Sequence, residues 1–166
     1  ELNVARRKRR GAEPGEYEDP LSKYDPPSLE DALETSLRED TVRSLHTTPF
    51  TAVTPQTTVQ EVLSLMSERA IGCVMITDND QLLGIFSERD VLMKIADNYV
   101  HMKNLSIDQI MTRHPVSVYE TDTPAKAMNL MAVGSFRHIP VLDVDEKVVG
   151  IVGPTRITAY LRKYFS

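Results

Sequence analysis

The chain has 166 residues, 41% of them hydrophobic, which is enough for one ordinary core or two small ones packed together and too little for several large domains. A net charge of -5 and a pI near 5.4 argue against a globally electropositive nucleic-acid binder, because phosphate affinity rests on clustered Lys and Arg. Cys73 is the only cysteine, so no intrachain disulfide forms, and no run approaches the ~18 apolar residues of a membrane span.

Residues 1–27 read as a disordered or linker tail. They hold the basic run Arg6-Arg7-Lys8-Arg9-Arg10, an acidic patch of Glu13, Glu16, Glu18 and Asp19, and four of the ten prolines, with no helix or strand period. The basic run suits a nucleic-acid contact, a targeting signal or an anionic-lipid contact, and the plainer reading, a solvated charge run, stands ahead of these. The chain begins at Glu1 rather than Met, which leaves an upstream segment and targeting by it open. A short N-terminal helix is expected within residues 28–41. Ser28 and Asp31 make a capping-box start, and Leu29, Leu33 and Leu37 recur at four-residue steps over about 29–39. That narrow stripe can dock on the main body or on a second copy. Leu45 to Val53 reads as an extended lead-in and a short strand.

Thr57 or Thr58 then caps a helix whose apolar face is Val59, Val62, Leu63 and Met66. Cys73 to Ile76 is a strand, Asp78-Asn79-Asp80 a turn and Leu82 to Phe86 a second strand. Ser87 starts another helix through Val91, Leu92 and Ile95. The unit is strand, helix, strand, strand, helix.

The unit recurs. Pro49 matches Pro115 and Gly84 matches Gly150, both at an offset of 66 residues, and apolar positions such as Val62 and Met128, Met75 and Val141, or Ile85 and Ile151 follow the same offset. Thr123 and Pro124 open the second unit's first helix. One such unit leaves a sheet face uncovered, so the two are expected to pack about a pseudo-twofold axis with a cleft between equivalent edges.

On Gly84-Ile85-Phe86-Ser87-Glu88-Arg89-Asp90, on Thr112-Arg113-His114-Pro115-Val116-Ser117-Val118 after Ile110-Met111, and on Arg137-His138-Ile139-Pro140-Val141-Leu142-Asp143, the chain resembles a tandem pair of CBS domains, the Bateman module, over roughly residues 42–164. It is especially similar to small stand-alone bacterial pairs. The resemblance implies an α+β fold of two βαββα repeats, at 42–100 and 101–166. It also implies a non-catalytic sensor, commonly a homodimer, that binds AMP, ADP, ATP, S-adenosylmethionine or sometimes NAD between the repeats. AMP or ATP is the expected regulatory ligand, with no required cofactor, an unidentified protein partner and a cytoplasmic location.

In such a site Asp90 accepts hydrogen bonds from both ribose hydroxyls, which charge assistance strengthens. Ser87, at a helix start with unpaired N–H groups, suits a phosphate, and Arg89 adds positive charge beside it. The family pattern places the base against Thr112, Val116, Ser117 and Phe136, with Arg137 and His138 near the phosphates. His138 brings pH sensitivity. The plainer reading is that Ser87 to Asp90 is only a capping box.

The second repeat separates these readings in part. It has Gly153-Pro154-Thr155-Arg156 in place of Ser87 to Asp90, which keeps the helix start and loses the hydroxyl and carboxylate. One nucleotide site is therefore expected. Arg156, awkward at a helix N-terminus without an anion, is expected to face the phosphate of that nucleotide or an acidic partner. The four histidines and Cys73 lack metal-site spacing, the methionines fall on apolar faces, and neither a catalytic triad nor a phosphate loop is present. Two alternatives stand beside the sensor: a ligand-free dimerisation scaffold, and a sensor brought to nucleic acid or an anionic surface by the basic run.

Overall fold

A computed structural model describes residues 32–165. The predicted tail, its basic run and the Ser28 to Asp31 cap lie outside the described residues. Helix α1 (Ala32–Glu39) sets Leu33 and Leu37, the described part of the leucine stripe, against the core of the second repeat. Asp40 just beyond it accepts a hydrogen bond from the Tyr160 hydroxyl at 2.9 Å.

The first repeat runs β1 (Ala52–Val53), α2 (Val59–Arg69), β2 (Cys73–Asp78), β3 (Gln81–Ser87) and α3 (Glu88–Asp90). Thr58, not Thr57, caps α2 through a reciprocal capping box with Glu61. Val59, Val62 and Met66 then face the sheet. Asn79 and Asp80 both have positive φ, the conformation that matches a two-residue hairpin to strand twist. The helix predicted from Ser87 through Ile95 forms, with helical backbone at Asp90, Val91 and Ala96, but it widens part-way. After α3 comes a π-helical turn (Val91–Ile95), in which the Ala96 N–H reaches the Val91 carbonyl, and it leaves Ile95 buried while Leu92 turns to solvent. A short α4 (Tyr99–Met102) follows.

After β4 (Thr112–Arg113), the second repeat runs β5 (Val118–Tyr119), α5 (Pro124–Gly134), β6 (Ile139–Leu142), β7 (Val148–Val152) and α6 (Pro154–Arg162). Thr123 caps α5 and Pro124 takes its first position. The sheets are ordered β1-β2-β3-β4 and β5-β6-β7, each opening with a parallel pair, followed by two antiparallel pairs in the first and one in the second.

Each repeat is completed by the segment that leads into the other. Ile107 and Met111 lie in the first core and β4 extends its sheet, whereas Val42 and Leu45 lie in the second core and the Thr47 carbonyl accepts the Ile151 N–H at 2.9 Å. The matched glycines make room for this exchange. A Cβ on Gly84 would meet the Met111 side chain and the Thr112 carbonyl, and one on Gly150 would meet Thr47. Met75, Leu142 and Val148 form the core between the halves. Gln81 and Lys147, equivalent positions of the two repeats, form an isolated bridge to each other and so mark the pseudo-twofold axis.

Candidate functional site

Ser87 ends β3 in an extended conformation and becomes the N-cap of α3. Its N–H and its hydroxyl both donate to Asp90 Oδ2 at 2.9 Å. The other carboxylate oxygen accepts the Thr112 hydroxyl at 3.0 Å and pairs with Lys94 Nζ at 2.7 Å. Only 8% of Asp90 is exposed. Burial pushes its pKa up, but the bonds from Lys94, Ser87 and Thr112 outweigh burial and hold the carboxyl below its ordinary value. Because Thr112 belongs to β4, Asp90 joins the helix start to the exchanged strand.

The structure thus brings Ser87, Asp90 and Thr112 into contact. Arg89, Val116, Phe136 and Arg137 are exposed and Ser117 is half-buried, with the Phe136 ring folded over Gly134. Lys94 escaped the sequence reading, although its four-residue spacing from Asp90 on a helix is a readable ion-pair signal.

His138 sits between the two helix starts. A Cβ on Gly72 would lie 3.0 Å from its Cε1, and one on Gly153 would lie 3.2 Å from its Cδ2, so two glycines give the imidazole its slot. Burial lowers its pKa; Glu88 opposes this and Arg137 adds to it.

Arg156 lies in the first turn of α6. Its guanidinium donates to the carbonyls of His46, at 2.6 Å, and of Pro49. It therefore anchors the lead-in to the first repeat, and these carbonyls relieve the awkwardness of a cation at a helix start. It borders a cavity of about 400 Å³ lined by residues 49–51, 71–73, His138 and 153–156, together with Arg69 and Ile151. Sequence reasoning passed over Phe50 and Thr51, yet the offset of 66 maps them onto Val116 and Ser117. A hollow of about 480 Å³ on the outer face of α2 carries Glu61 and Glu68 and no cation, and it lies away from both helix starts. No cluster of three or more His, Cys, Asp or Glu suited to a metal occurs among the described residues. Nor is any helix among them long and apolar enough to cross a membrane.

Comparison with known proteins decides the family, since the CBS domain matches twice, at residues 42–97 and 107–163. The chain belongs to the CBS domain family. Among relatives of this CBS pair, the CBS domain-containing protein CBSCBSPB5 of Arabidopsis thaliana is 30% identical over 111 residues, covering 66% of this chain and 20% of that protein. The chain spans about a fifth of the length of the first such curated relatives. The CBS-domain containing protein ATU1752 from Agrobacterium tumefaciens matches at 28% identity with a TM-score of 0.61, over 67% of this chain and 88% of its own. The CBS domain protein PAE2072 from Pyrobaculum aerophilum, complexed with AMP, matches in fold at 21% identity with a TM-score of 0.66, over 75% and 98% of the two chains.

Proposed function

We propose that this CBS pair is a non-catalytic regulatory module that senses an adenosine-containing ligand at the Asp90 cleft, with AMP or ATP ahead of S-adenosylmethionine and NAD. Asp90 carries the reading: it is buried, held ionised, and joined to the exchanged strand through Thr112. A ribose diol has the donors to replace Thr112 on this carboxylate. The exposed Val116 and Phe136 offer apolar surface to a base, Ser87 suits a phosphate, Arg89 and Arg137 supply positive charge, and His138, held neutral by burial, offers a ring nitrogen for a hydrogen bond. The AMP held by the Pyrobaculum neighbour supports the ligand class. A switch follows if the ligand favours the state in which Thr112 is released, because only differential affinity shifts a conformational equilibrium.

One observation favours the scaffold as a second reading: both Asp90 oxygens already have protein donors. Titration calorimetry with AMP, ATP and S-adenosylmethionine separates the two. The sensor gives saturable heat with at least one ligand; absence of heat and of thermal stabilisation at millimolar ligand leaves the scaffold.

A homodimer belongs to this proposal. Leu92, Met93 and Val100 are large apolar side chains exposed on the first repeat, where the second has Thr158 and Ala159 at the places of Leu92 and Met93. Sedimentation of Leu92→Glu is expected to show a lighter species than the parent chain, and equal masses count against this surface. A cytoplasmic setting agrees with the unpaired, buried Cys73. Delivery by the basic run is a third possibility, which fails if deleting residues 1–27 leaves salt-dependent binding to nucleic acid or anionic vesicles unchanged.

A further inference from the structure

Asp90 has a cation that its counterpart repeat lacks. Under the offset of 66, Arg156 stands at the place of Asp90 and Tyr160 at that of Lys94, so the lysine occurs only in the repeat that holds the carboxylate. Tyr160 uses its hydroxyl on Asp40 instead.

Lys94 lies in the π-helical turn that follows Asp90. An ammonium offers N–H donors and no acceptor, and those of Lys94 reach Asp90 Oδ1 at 2.7 Å, the Ile110 carbonyl at 2.9 Å and the Thr112 hydroxyl at 3.3 Å. The carboxylate in this pair is more buried than those that meet Arg38, Arg43 or Lys126.

A carboxylate has about four acceptor sites. The N–H and hydroxyl of Ser87 fill those of Oδ2, and the Thr112 hydroxyl and Lys94 fill those of Oδ1. A vicinal diol brings a pair of donors, so releasing Thr112 alone leaves one ribose hydroxyl without a place. The Ser87 N–H is backbone fixed by the helix start, and the Ser87 hydroxyl shares Oδ2 with it inside the cap. Lys94 shares Oδ1 with Thr112, stands on a flexible stem with its side chain 36% exposed, and keeps the Ile110 carbonyl as an acceptor if it moves off Asp90.

We infer that Lys94 is an autoinhibitory contact: its ammonium holds the place of one ribose hydroxyl on Asp90, and a ligand with a vicinal diol binds by displacing it. The inference rests on the sensor reading of Asp90 and adds the element that sets its threshold. Ligands without the diol have no reason to move the lysine.

The test uses the full chain, with AMP and 2′,3′-dideoxy-AMP titrated by calorimetry near neutral pH into the parent protein, Lys94→Met and Lys94→Arg. Loss of a cation acts alike on the phosphate of both probes, so the ratio of their affinities reports the diol. Lys94→Met is expected to raise the preference for AMP over dideoxy-AMP about tenfold above the parent, as removal of one charge-assisted competitor implies. Lys94→Arg, which restores a cation, is expected to return the ratio to within about threefold of the parent. Circular dichroism checks the fold. If Lys94→Met does not fold, Lys94→Gln, which keeps an N–H donor without the charge, is read in the same way.

A parent that prefers AMP, with a ratio unchanged or lowered in Lys94→Met, overturns the inference and leaves the sensor reading standing. A tenfold gain in Lys94→Arg as well also overturns it, since the cation is then not the competitor. No binding of either nucleotide to the parent or any variant overturns both.

Discussion

His138 and Gly72 occupy equivalent places in the two repeats, and the imidazole fills the room that the glycine leaves. Burial holds the histidine's pKa below its ordinary value against the pull of Glu88. A group with a depressed folded pKa contributes stability that is whole above its unfolded pKa and is lost as pH falls through the folded one. The chain is therefore expected to lose stability as pH falls below the ordinary histidine value of about 6.5. His138→Gln should flatten that slope in urea melts at stepped pH, and a parallel slope in the variant would remove His138 as its cause. Cys73 lies beside the same slot, its thiol pushed up to about 12 by burial first and then by Glu88. It is thus a packing residue rather than a nucleophile at neutral pH.

Among the elements, the strands exchanged between repeats explain the glycine pair that first revealed the repeat. A Cβ on Gly84 would lie 2.5 Å from Met111 Sδ and 2.8 Å from the Thr112 carbonyl oxygen. The thioether can swing aside; the carbonyl belongs to the backbone of β4. Gly84→Ala is expected to destabilise the chain by about 1–3 kcal/mol, the usual cost of overpacking, despite the smaller unfolded-state gain from replacing glycine. Denaturant melts measure it, and an unchanged midpoint would mean that β4 does not press on Gly84. The hairpins, the capped helices and the order of elements were legible because their signals are local: threonine at a cap, Asn79 and Asp80 in a turn, apolar residues at strand and helix period. The exchange was not, because Val42, Leu45, Ile107 and Met111 carry no mark of which core they enter. Only the match of Leu45 with Met111 under the common offset hinted that the two lead-ins behave alike. The π-helical turn after Asp90 was likewise hidden, since Val91, Leu92 and Ile95 satisfy an ordinary helical period.

At the scale of the whole molecule the two repeats share a fold and differ in chemistry. The pseudo-twofold axis passes through the Gln81 and Lys147 bridge, and on its two sides Asp90 and Arg156 make equivalent ties, one to the Thr112 hydroxyl and one to the carbonyls of His46 and Pro49. Sequence comparison showed that the pair had diverged. It did not show the tie of Arg156 to His46 and Pro49, because a residue's number within a repeat says which helix start it occupies and not which segment its side chain will reach. The central claim is that the diol of an adenosine ligand exchanges with Thr112 on Asp90. A crystal structure of the chain grown with AMP tests it most directly. The account predicts both ribose hydroxyls on the Asp90 carboxylate, with the Thr112 hydroxyl displaced from it. An Asp90 still bonded to Thr112 and Lys94, with AMP absent from that cleft, would contradict it.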